Sequence, residues 1–295
     1  MSTLAENVAK VAAAHAALKT AIAAKGVTVP DGTKLSGMPA LVEQIETPPE
    51  PNVDRISLYN NTSIETVDFT KPIVCDLAAM KNLAYCFYGC ESLRSLALPE
   101  GFGSEATNLS YCFYNCRLLG TLDFPEGFGS KATNMDHCFY NMSYSLPVGS
   151  VQVVLPDGCG SAAGNVESCF SQCGAISISL PDGFGSKSRS VASCFNNCRS
   201  LHTLILGTGF ASAASRASSC FKDCQSLANI FGQPNFKTSV DFSACTKLST
   251  DSLRNIIRGL QTVTTAKTLT LGATNLAKLT NGDKKAATDK GWTLA

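Results

Sequence analysis

Cysteines recur in pairs along this chain, and paired thiols can bind a metal ion, form disulfides or fill a hydrophobic core. The stretch "NLAYCFYGCESLRSLALPEGFGS" (82–104) returns as "NLSYCFYNCRLLGTLDFPEGFGS" from position 108 and, shortened, as "NMDHCFYNMSYSLPVGS" from position 134. The 295 residues include 14 cysteines. A zinc site, a disulfide ladder and a structural repeat with buried thiols are therefore three competing interpretations.

The spacing of the paired cysteines disfavours a metal site. Structural zinc sites take their cysteines from short knuckles at turns, where four ligands converge on one ion. Here the C-x-x-x-C spacing is helical, a phenylalanine lies between the two thiols, and Met142 replaces the second cysteine of the third unit. An obligate site would not survive that replacement. We predict that the chain holds no metal ion and no cofactor.

Disulfides are the second interpretation. The N-terminus lacks the basic start and apolar core of a signal peptide, so we expect synthesis in the cytoplasm, where thiols stay reduced. Two cysteines four residues apart on a helix are too distant for a bridge. Bridges between neighbouring units stay an alternative, although Met142 leaves Cys138 without a partner in its unit. We expect reduced thiols that act as small core hydrophobes.

The units repeat with a period of about 26 residues, which is typical of a solenoid. One longer step contains an insertion at 142–152. The aligned units start at Cys86, Cys112, Cys138, Cys169, Cys194 and Cys220.

Within each unit the apolar spacing predicts a short helix, a strand and a turn. In the second unit Leu109, Cys112 and Phe113 begin an i, i+3, i+4 pattern that favours one helical face. The following "LLGTLDFP" (118–125) has the L-x-x-L-x-L spacing of a strand, and the turn after it carries an aromatic plug, Phe128. One such unit cannot bury its own apolar face, whereas stacked units can. We therefore predict an α/β solenoid of the leucine-rich-repeat type.

Composition divides the chain into four parts. A heptad seam from Leu4 to Ile22 predicts an N-terminal α-helix that could form a coiled coil. The C-terminal part contains a predicted amphipathic helix (251–263), a strand (268–272) and a polar helix (280–295). The predicted parts are 1–46, a helical attachment or oligomerisation segment; 47–52, a proline-rich linker; 53–248, the repeat solenoid; and 249–295, a capping region.

Aromatic side chains occupy two positions of the first units that should face outward. The residue before the first cysteine and the residue two after it are aromatic in these units, but serine, asparagine or lysine occupies them later. Exposed aromatic rows suit contacts with a glycan or a protein. The alternative is that the rings pack on one another. The candidate ligand-binding residues are Tyr85, Tyr88, Tyr111, Tyr114 and Tyr140, and His137 takes the remaining position.

Other functional classes find little support. The formal net charge is +1 and 16% of the residues are charged, without a basic stripe, so we expect no nucleic-acid partner. No run approaches ~20 apolar residues, so we expect no membrane insertion. The three histidines lie near no recognisable nucleophile, which predicts that the protein is not an enzyme. Acidic residues that follow the repeated prolines could bind Ca²⁺, but solvated turn carboxylates are the simpler interpretation.

Three resemblances add to this interpretation. "NLSYCFYNCRLLGTLDF" and "TNMDHCFYNM" are similar to the units of BspA-like surface leucine-rich repeats, over about positions 60–250. This chain departs from that pattern by placing cysteine where the family usually has methionine, and by its added P-[DE]-G-F-G-S loop. The stretch "AALKTAIAAKGVTVPDGTKLSGMPALVEQI" resembles the N-terminal segments of phage and prophage tail fibres. The ending "NLAKLTNGDKKAATDKGWTLA" resembles the closing segment of similar proteins.

The resemblances imply a tail-fibre-like receptor-binding or adhesion protein. The implied ligand is a glycan or a protein on a bacterial cell surface, and residues 1–46 would attach to a phage tail or baseplate protein, with a homotrimer as one assembly. The location would then be the virion tail. A BspA-like adhesin on the bacterial surface, and a structural scaffold of a virion or injection machine, are the alternatives.

Overall fold

Each repeat unit forms one layer of a solenoid, and backbone hydrogen bonds join each layer to the next. The computed structural model describes residues 58–68, 79–147 and 150–295. The Leu83 N–H donates to the Asn108 carbonyl at 2.9 Å, and the Thr133 N–H donates to the Thr107 carbonyl at 2.9 Å. Such bonds between equivalent positions of successive units confirm the predicted stacking. The predicted helix and linker at 1–52 lie outside the described residues.

Short parallel strands form one side of the solenoid. They make a two-stranded sheet (β1–β2), a four-stranded sheet (β3–β6) and a C-terminal three-stranded sheet (β7–β9), and all pairs are parallel. Parallel pairing follows from one chain turn per unit. The described strands are β1 (Thr66–Asp68), β2 (Ser95–Ala97), β3 (Gln152–Val154), β4 (Ser177–Leu180), β5 (Thr203–Leu206), β6 (Asn229–Phe231), β7 (Val240–Asp241), β8 (Lys267–Thr270) and β9 (Trp292–Leu294).

Phenylalanines fill the centre of the layers. The residue after the first cysteine of each of the first five units stacks on its equivalent in the next layer, and Phe221 of the sixth unit stacks on Phe242, with ring centroids 4.3–5.6 Å apart. The predicted loop plugs are buried too, including Phe128 and its substitute Cys159. Burial of this many rings contributes strongly to the apolar stabilisation of the array. The stacked column is Phe87, Phe113, Phe139, Phe170, Phe195, Phe221 and Phe242.

The helix predicted in each unit is wrong, because the segment is a series of tight turns. The Cys86 N–H donates to the Leu83 carbonyl three residues earlier (3.2 Å), but the next amide, of Phe87, donates to the Cys112 carbonyl of the next layer (2.8 Å). Turns and inter-layer bonds alternate in this way along the segment. An α-helix would bond every amide to its own turn, so it would leave the layers unconnected.

Left-handed residues enforce the turns. In the first complete unit Tyr85 has a φ of 60° and Gly89 a φ of 69°, on either side of Cys86 and Phe87. A left-handed residue stops a right-handed helix. Both positions recur in all six units, and the second is mostly glycine, asparagine or aspartate, which tolerate this conformation best. The equivalents of Gly89 are Asn115, Asn141, Gln172, Asn197 and Asp223.

The strand predicted in the second unit is also wrong. The inward side chains are placed as expected, since Leu122 is buried and Phe124 packs near the rings of Phe113 and Phe139. The backbone around them forms no strand. The insertion at 142–152 lengthens the following layer, so β3 does not pair with this segment. The sheet is therefore interrupted between β2 and β3.

The C-terminal region closes the array with helices. The predicted amphipathic helix forms as α1 (Thr250–Gly259), a short α2 spans Gly272–Leu276, and α3 spans Asn281–Thr288. The predicted strand forms as β8, and the polar helix ends before Gly291, the residue expected to stop it; Trp292 then begins β9. Trp292 is buried, and its indole Nε1–H donates to the Gln261 carbonyl at 2.8 Å. In the part of the chain described here, no helix is long and apolar enough to cross a membrane.

Candidate binding surface

The five tyrosines predicted as a ligand site lie together in two columns of stacked rings. In the first column Tyr88 stacks on Tyr114 at 4.7 Å and Tyr114 stacks on Tyr140 at 4.6 Å between ring centroids. In the second column Tyr85 stacks on Tyr111 at 4.9 Å. Interplanar angles within both columns are 7° or less for these pairs. The rings therefore pack on one another, as the alternative interpretation of the sequence proposed.

Two further rings extend the columns. Tyr59 stacks on Tyr88 at 4.9 Å and begins the first column one layer earlier, and His137 stacks on Tyr111 at 4.7 Å and ends the second. Tyr59 was not among the residues selected from the sequence. Its signal is the dipeptide Tyr-Asn, which occurs at Tyr59 and again at Tyr114 and Tyr140. We call the seven rings the tyrosine ladder: Tyr59, Tyr85, Tyr88, Tyr111, Tyr114, His137 and Tyr140.

The layer backbone sets the spacing of the ladder. An asparagine opens the tight-turn segment in each of the first four complete units. For example, the Asn108 Oδ1 accepts the Ser110 N–H at 3.0 Å, and the Asn134 Oδ1 accepts the Asp136 N–H at 3.1 Å. The next residue, Tyr111 or His137, is then left-handed and directs its ring outward from the turn. Ring spacing of 4.6–4.9 Å along each column equals the ordinary distance between hydrogen-bonded strands.

The ladder offers ring edges and hydroxyls to solvent, because the faces of interior rings are covered by their neighbours. Tyr88, Tyr111 and Tyr114 are each sandwiched between two rings of their column and are half-buried. At the C-terminal end the Gln172 side-chain amide donates to the Tyr140 hydroxyl. A sugar ring could thus not stack on an interior tyrosine face. A ligand would instead meet a regular row of phenol donors and acceptors.

Burial within the ladder changes the acidity of its phenols. Burial raises the pKa of Tyr88, Tyr111 and Tyr114 above the ordinary range. Neighbouring phenols add to the effect at Tyr88 and Tyr114, and the carboxylate of Asp136 adds to it at Tyr111. Each negative charge in the row would destabilise the next one. Tyr88, Tyr111 and Tyr114 are therefore neutral hydroxyls at neutral pH.

Comparison with known proteins identifies the repeats. Six copies of the BspA type leucine rich repeat region match residues 57–148 and 166–280. This chain belongs to the BspA-type leucine-rich repeat family. The leucine-rich-repeat solenoid is thereby confirmed, and the matched residues include every ring of the tyrosine ladder.

The solved structures that are similar to this BspA-type chain include one from a Bacteroides species. It is the crystal structure of a leucine-rich repeat protein from Bacteroides ovatus ATCC 8483, with 18% sequence identity and a TM-score of 0.31. The alignment covers 74% of this chain and 66% of that chain. No curated protein sequence matches the chain.

The cysteines of the BspA-type units lie inside the core as free thiols. All 13 cysteines of the described residues are free and buried. The second thiol of a pair also donates to a backbone carbonyl of the preceding layer: Cys116 to Phe87 at 3.1 Å, and Cys198 to Phe170 at 2.9 Å. The thiols therefore fill space, and some of them also bond adjacent layers, a role that the sequence did not predict. No cluster of metal-ligating side chains occurs among the described residues.

Native thiols should resist alkylation. Burial raises the pKa of Cys90 and of Cys173 to about 11, so few thiolates exist at neutral pH. We expect iodoacetamide at about pH 8 to modify the 13 described cysteines only as fast as the protein unfolds. Mass spectrometry of peptides after timed alkylation measures this, with a urea-unfolded sample as the control. Rapid modification of Cys90 or Cys173 in the native protein would contradict the buried, protonated state of these two thiols.

The ladder should make the protein sensitive to alkali. The folded pKa of Tyr88, Tyr111 and Tyr114 is raised above the value of about 10 in an unfolded chain, so the folded state keeps protons that the unfolded state releases. The stabilisation is complete below about pH 10 and is lost as the pH rises through the folded pKa values.

Urea unfolding at increasing pH measures this loss. A variant with phenylalanine at these three positions keeps the stacked rings but has no phenols to ionise there, and we expect it to lose less stability above about pH 10. An identical alkaline decline in the variant and the native protein would contradict the expectation.

Proposed function

We propose that this chain is a non-enzymatic binding protein that recognises a ligand on a bacterial cell surface through the tyrosine ladder. The observation that carries the proposal is the position of the ladder. Seven rings cover one side of the first layers, and they end at His137 and Tyr140 although the solenoid continues.

The fold does not need aromatic residues at these positions. Later layers place Ser168, Ser193 and Ser219 where earlier layers have Tyr85, Tyr111 and His137, with the same left-handed backbone (φ of 51–55°). A bulky residue is less suited to this conformation than serine, asparagine or glycine. The rings therefore have a role besides making the turn, and a binding surface is the role that their exposed edges suit. Tyrosine is enriched at such surfaces because it combines apolar area with a polar hydroxyl.

The repeat of the ladder favours a repetitive or extended ligand. Tyrosine rings recur about every 4.7 Å along a column, on a rigid support that loses little entropy on binding. A polysaccharide rich in hydroxyl or carboxylate groups can hydrogen-bond to successive tyrosine hydroxyls of the ladder, and so can the surface of a protein. Both belong to the proposed ligand class, a glycan or protein of the bacterial surface.

Replacing two tyrosines of the ladder should remove most of the binding affinity for the ligand. The experiment first screens the full chain for binding to separate arrays of bacterial surface polysaccharides and envelope proteins. The Kd of the full chain is then measured for a polysaccharide or protein fraction that it binds. In a Tyr88→Ser/Tyr114→Ser variant we expect at least about thirtyfold weaker binding, from roughly 1 kcal/mol for each ring.

The matched control is Tyr144→Ser, because Tyr144 is 44% exposed and lies outside the ladder. This variant should bind like the native protein, and circular dichroism should show that both variants are folded. Equal binding by the double variant and the native chain, or equal losses in both variants, would overturn the proposal.

Two cellular roles fit this binding function. We propose a phage or prophage tail-fibre-like receptor-binding protein in the virion tail, in which residues 1–46 attach to a tail or baseplate protein and assemble a homotrimer; the support is the resemblance of that segment. Membership of the BspA-type family favours the second candidate, an adhesin of the bacterial surface. The solution mass of the full chain tests the first role, because a monomer would oppose the trimeric fibre.

A further inference from the structure

The interrupted sheet leaves a cleft with unpaired backbone on its walls. Residues 121–124 occupy the position of a strand between β2 and β3, but no peptide group from Thr121 to Phe124 hydrogen-bonds to any other described residue. Strand β3 pairs with β4 on one side only. Unpaired peptide groups at a sheet edge are free to pair with another chain, so the two walls offer donors and acceptors to a further strand.

The layers stay joined on either side of the cleft. Before the cleft, the Ser145 N–H donates to the Arg117 carbonyl at 3.1 Å, and after it the Gly160 N–H donates to the Gly129 carbonyl at 3.1 Å. The opening is thus a local feature with fixed ends. Its volume is about 370 Å³, at the lower end of the range for ligand sites. The lining residues are Thr121, Leu122, Asp123, Phe124, Ser150, Gln152, Val154 and Pro156.

The outward-facing side chain is a carboxylate on one wall of the cleft and an aliphatic group on the other. Leu122 and Val153 are the buried residues at equivalent places of the two layers, so the residues after them, Asp123 and Val154, face outward at the opening. Val154 is 59% exposed. Asp123 is exposed and has no ion pair with any described residue. A lysine between them could lie along the valine with its stem and reach the carboxylate with its ammonium group.

We propose that this cleft binds an extended peptide segment of a partner protein. The peptide backbone bonds to the free groups of residues 121–124 and of the β3 edge, the mode in which a strand is added to an open sheet edge. Along the bound peptide, outward-facing residues alternate with aliphatic residues, and a basic residue of the peptide lies beside Asp123. This site is separate from the tyrosine ladder, so the two proposals can fail independently.

Hydrogen exchange of the full chain tests the cleft. In the free protein the amides of residues 121–124 should exchange faster than those of β4, which are in a paired strand. The probe is the acetylated and amidated pentapeptide Thr-Val-Lys-Val-Thr at millimolar concentration, which we expect to slow exchange in residues 121–124 and in β3. The same peptide N-methylated at alternate residues keeps its side chains but loses half of its donors, and it should give no protection.

A charge exchange locates the basic residue. Asp123→Lys should weaken binding of the lysine peptide by about three- to tenfold, and a glutamate in place of that lysine in the peptide should restore it. Asp123 is exposed, so this variant should fold normally. Amides of residues 121–124 that exchange as slowly as β4 in the free protein would overturn the proposal. So would equal protection by the N-methylated peptide, or no protection by either peptide.

Discussion

Phe139→Ala is expected to lower the free energy of unfolding by about 3–5 kcal/mol, since it empties a fully enclosed ring site. Phe139 has no solvent exposure, and it stacks between Phe113 at 5.6 Å and Phe170 at 5.1 Å. Phe124 adds an edge contact at 5.7 Å. The neighbouring rings are fixed by hydrogen-bonded layers and cannot collapse into the space, which places the loss in the upper part of the range for core truncations.

The matched control for this substitution is Phe231→Ala. Phe231 is 53% exposed on the outer face of β6, so its removal should change stability by no more than about 0.5 kcal/mol. Urea titration followed by circular dichroism measures both variants. If Phe139→Ala lost no more stability than Phe231→Ala, the stacked phenylalanine column would not be the main support of the core.

Gly232→Ala is expected to destabilise the protein by about 2–5 kcal/mol. Gly232 has a φ of 86°, and a Cβ there would lie 2.0 Å from the Leu206 carbonyl oxygen of the neighbouring strand. The left-handed conformation costs alanine about 1–2 kcal/mol, and the clash with backbone adds about 1–3 kcal/mol. The carbonyl cannot withdraw without disturbing β5 and its pairing with β6.

Gly282→Ala should have the opposite effect. Gly282 is near the start of α3, and the nearest atom to an added Cβ is the Thr280 Oγ1 at 3.7 Å. Alanine in place of a helical glycine should therefore stabilise the protein by about 0.5–1 kcal/mol. The same urea titrations give both values. If Gly232→Ala left the free energy of unfolding unchanged, the layers would have to be able to separate locally at β5 and β6.

The sequence predicts the layers of this solenoid well, because the burial of each position follows from its residue type. The recurring cysteine and phenylalanine, such as Cys112 and Phe113, are inward-facing as expected, and so is the loop plug Phe128. The C-terminal helix α1 was also predictable from its apolar spacing. These are properties of single units, which a period of about 26 residues makes visible.

The backbone conformation of the tight turns was harder to predict. Apolar residues at i, i+3, i+4 and i+7 match the helical period, and they match a series of three-residue turns equally well. The distinguishing signal is the position three after the first cysteine. Gly89, Asn115 and Asp223 occupy it in different units, and these residue types favour a left-handed conformation that a helix interior excludes.

The interruption of the sheet depends on contacts between units. The spacing from Leu119 to Phe124 is that of a strand, but a strand forms only where a neighbour is in register. The insertion at 142–152 shifts that neighbour, and its effect appears in the unit before it rather than in its own unit. Likewise the positions of the candidate tyrosines were predictable, but the stacking of Tyr88 on Tyr114 follows from the layer spacing.

Protection of the tyrosine ladder by a bound ligand tests whether the ladder is the binding surface. The native protein is nitrated with tetranitromethane with and without the surface fraction that it binds, and nitrotyrosine is located by mass spectrometry. The proposed function predicts that the ligand lowers nitration of Tyr88, Tyr114 and Tyr140, and leaves Tyr144 unchanged. Equal nitration of the ladder with and without ligand would contradict it, and so would protection of Tyr144 to the same degree.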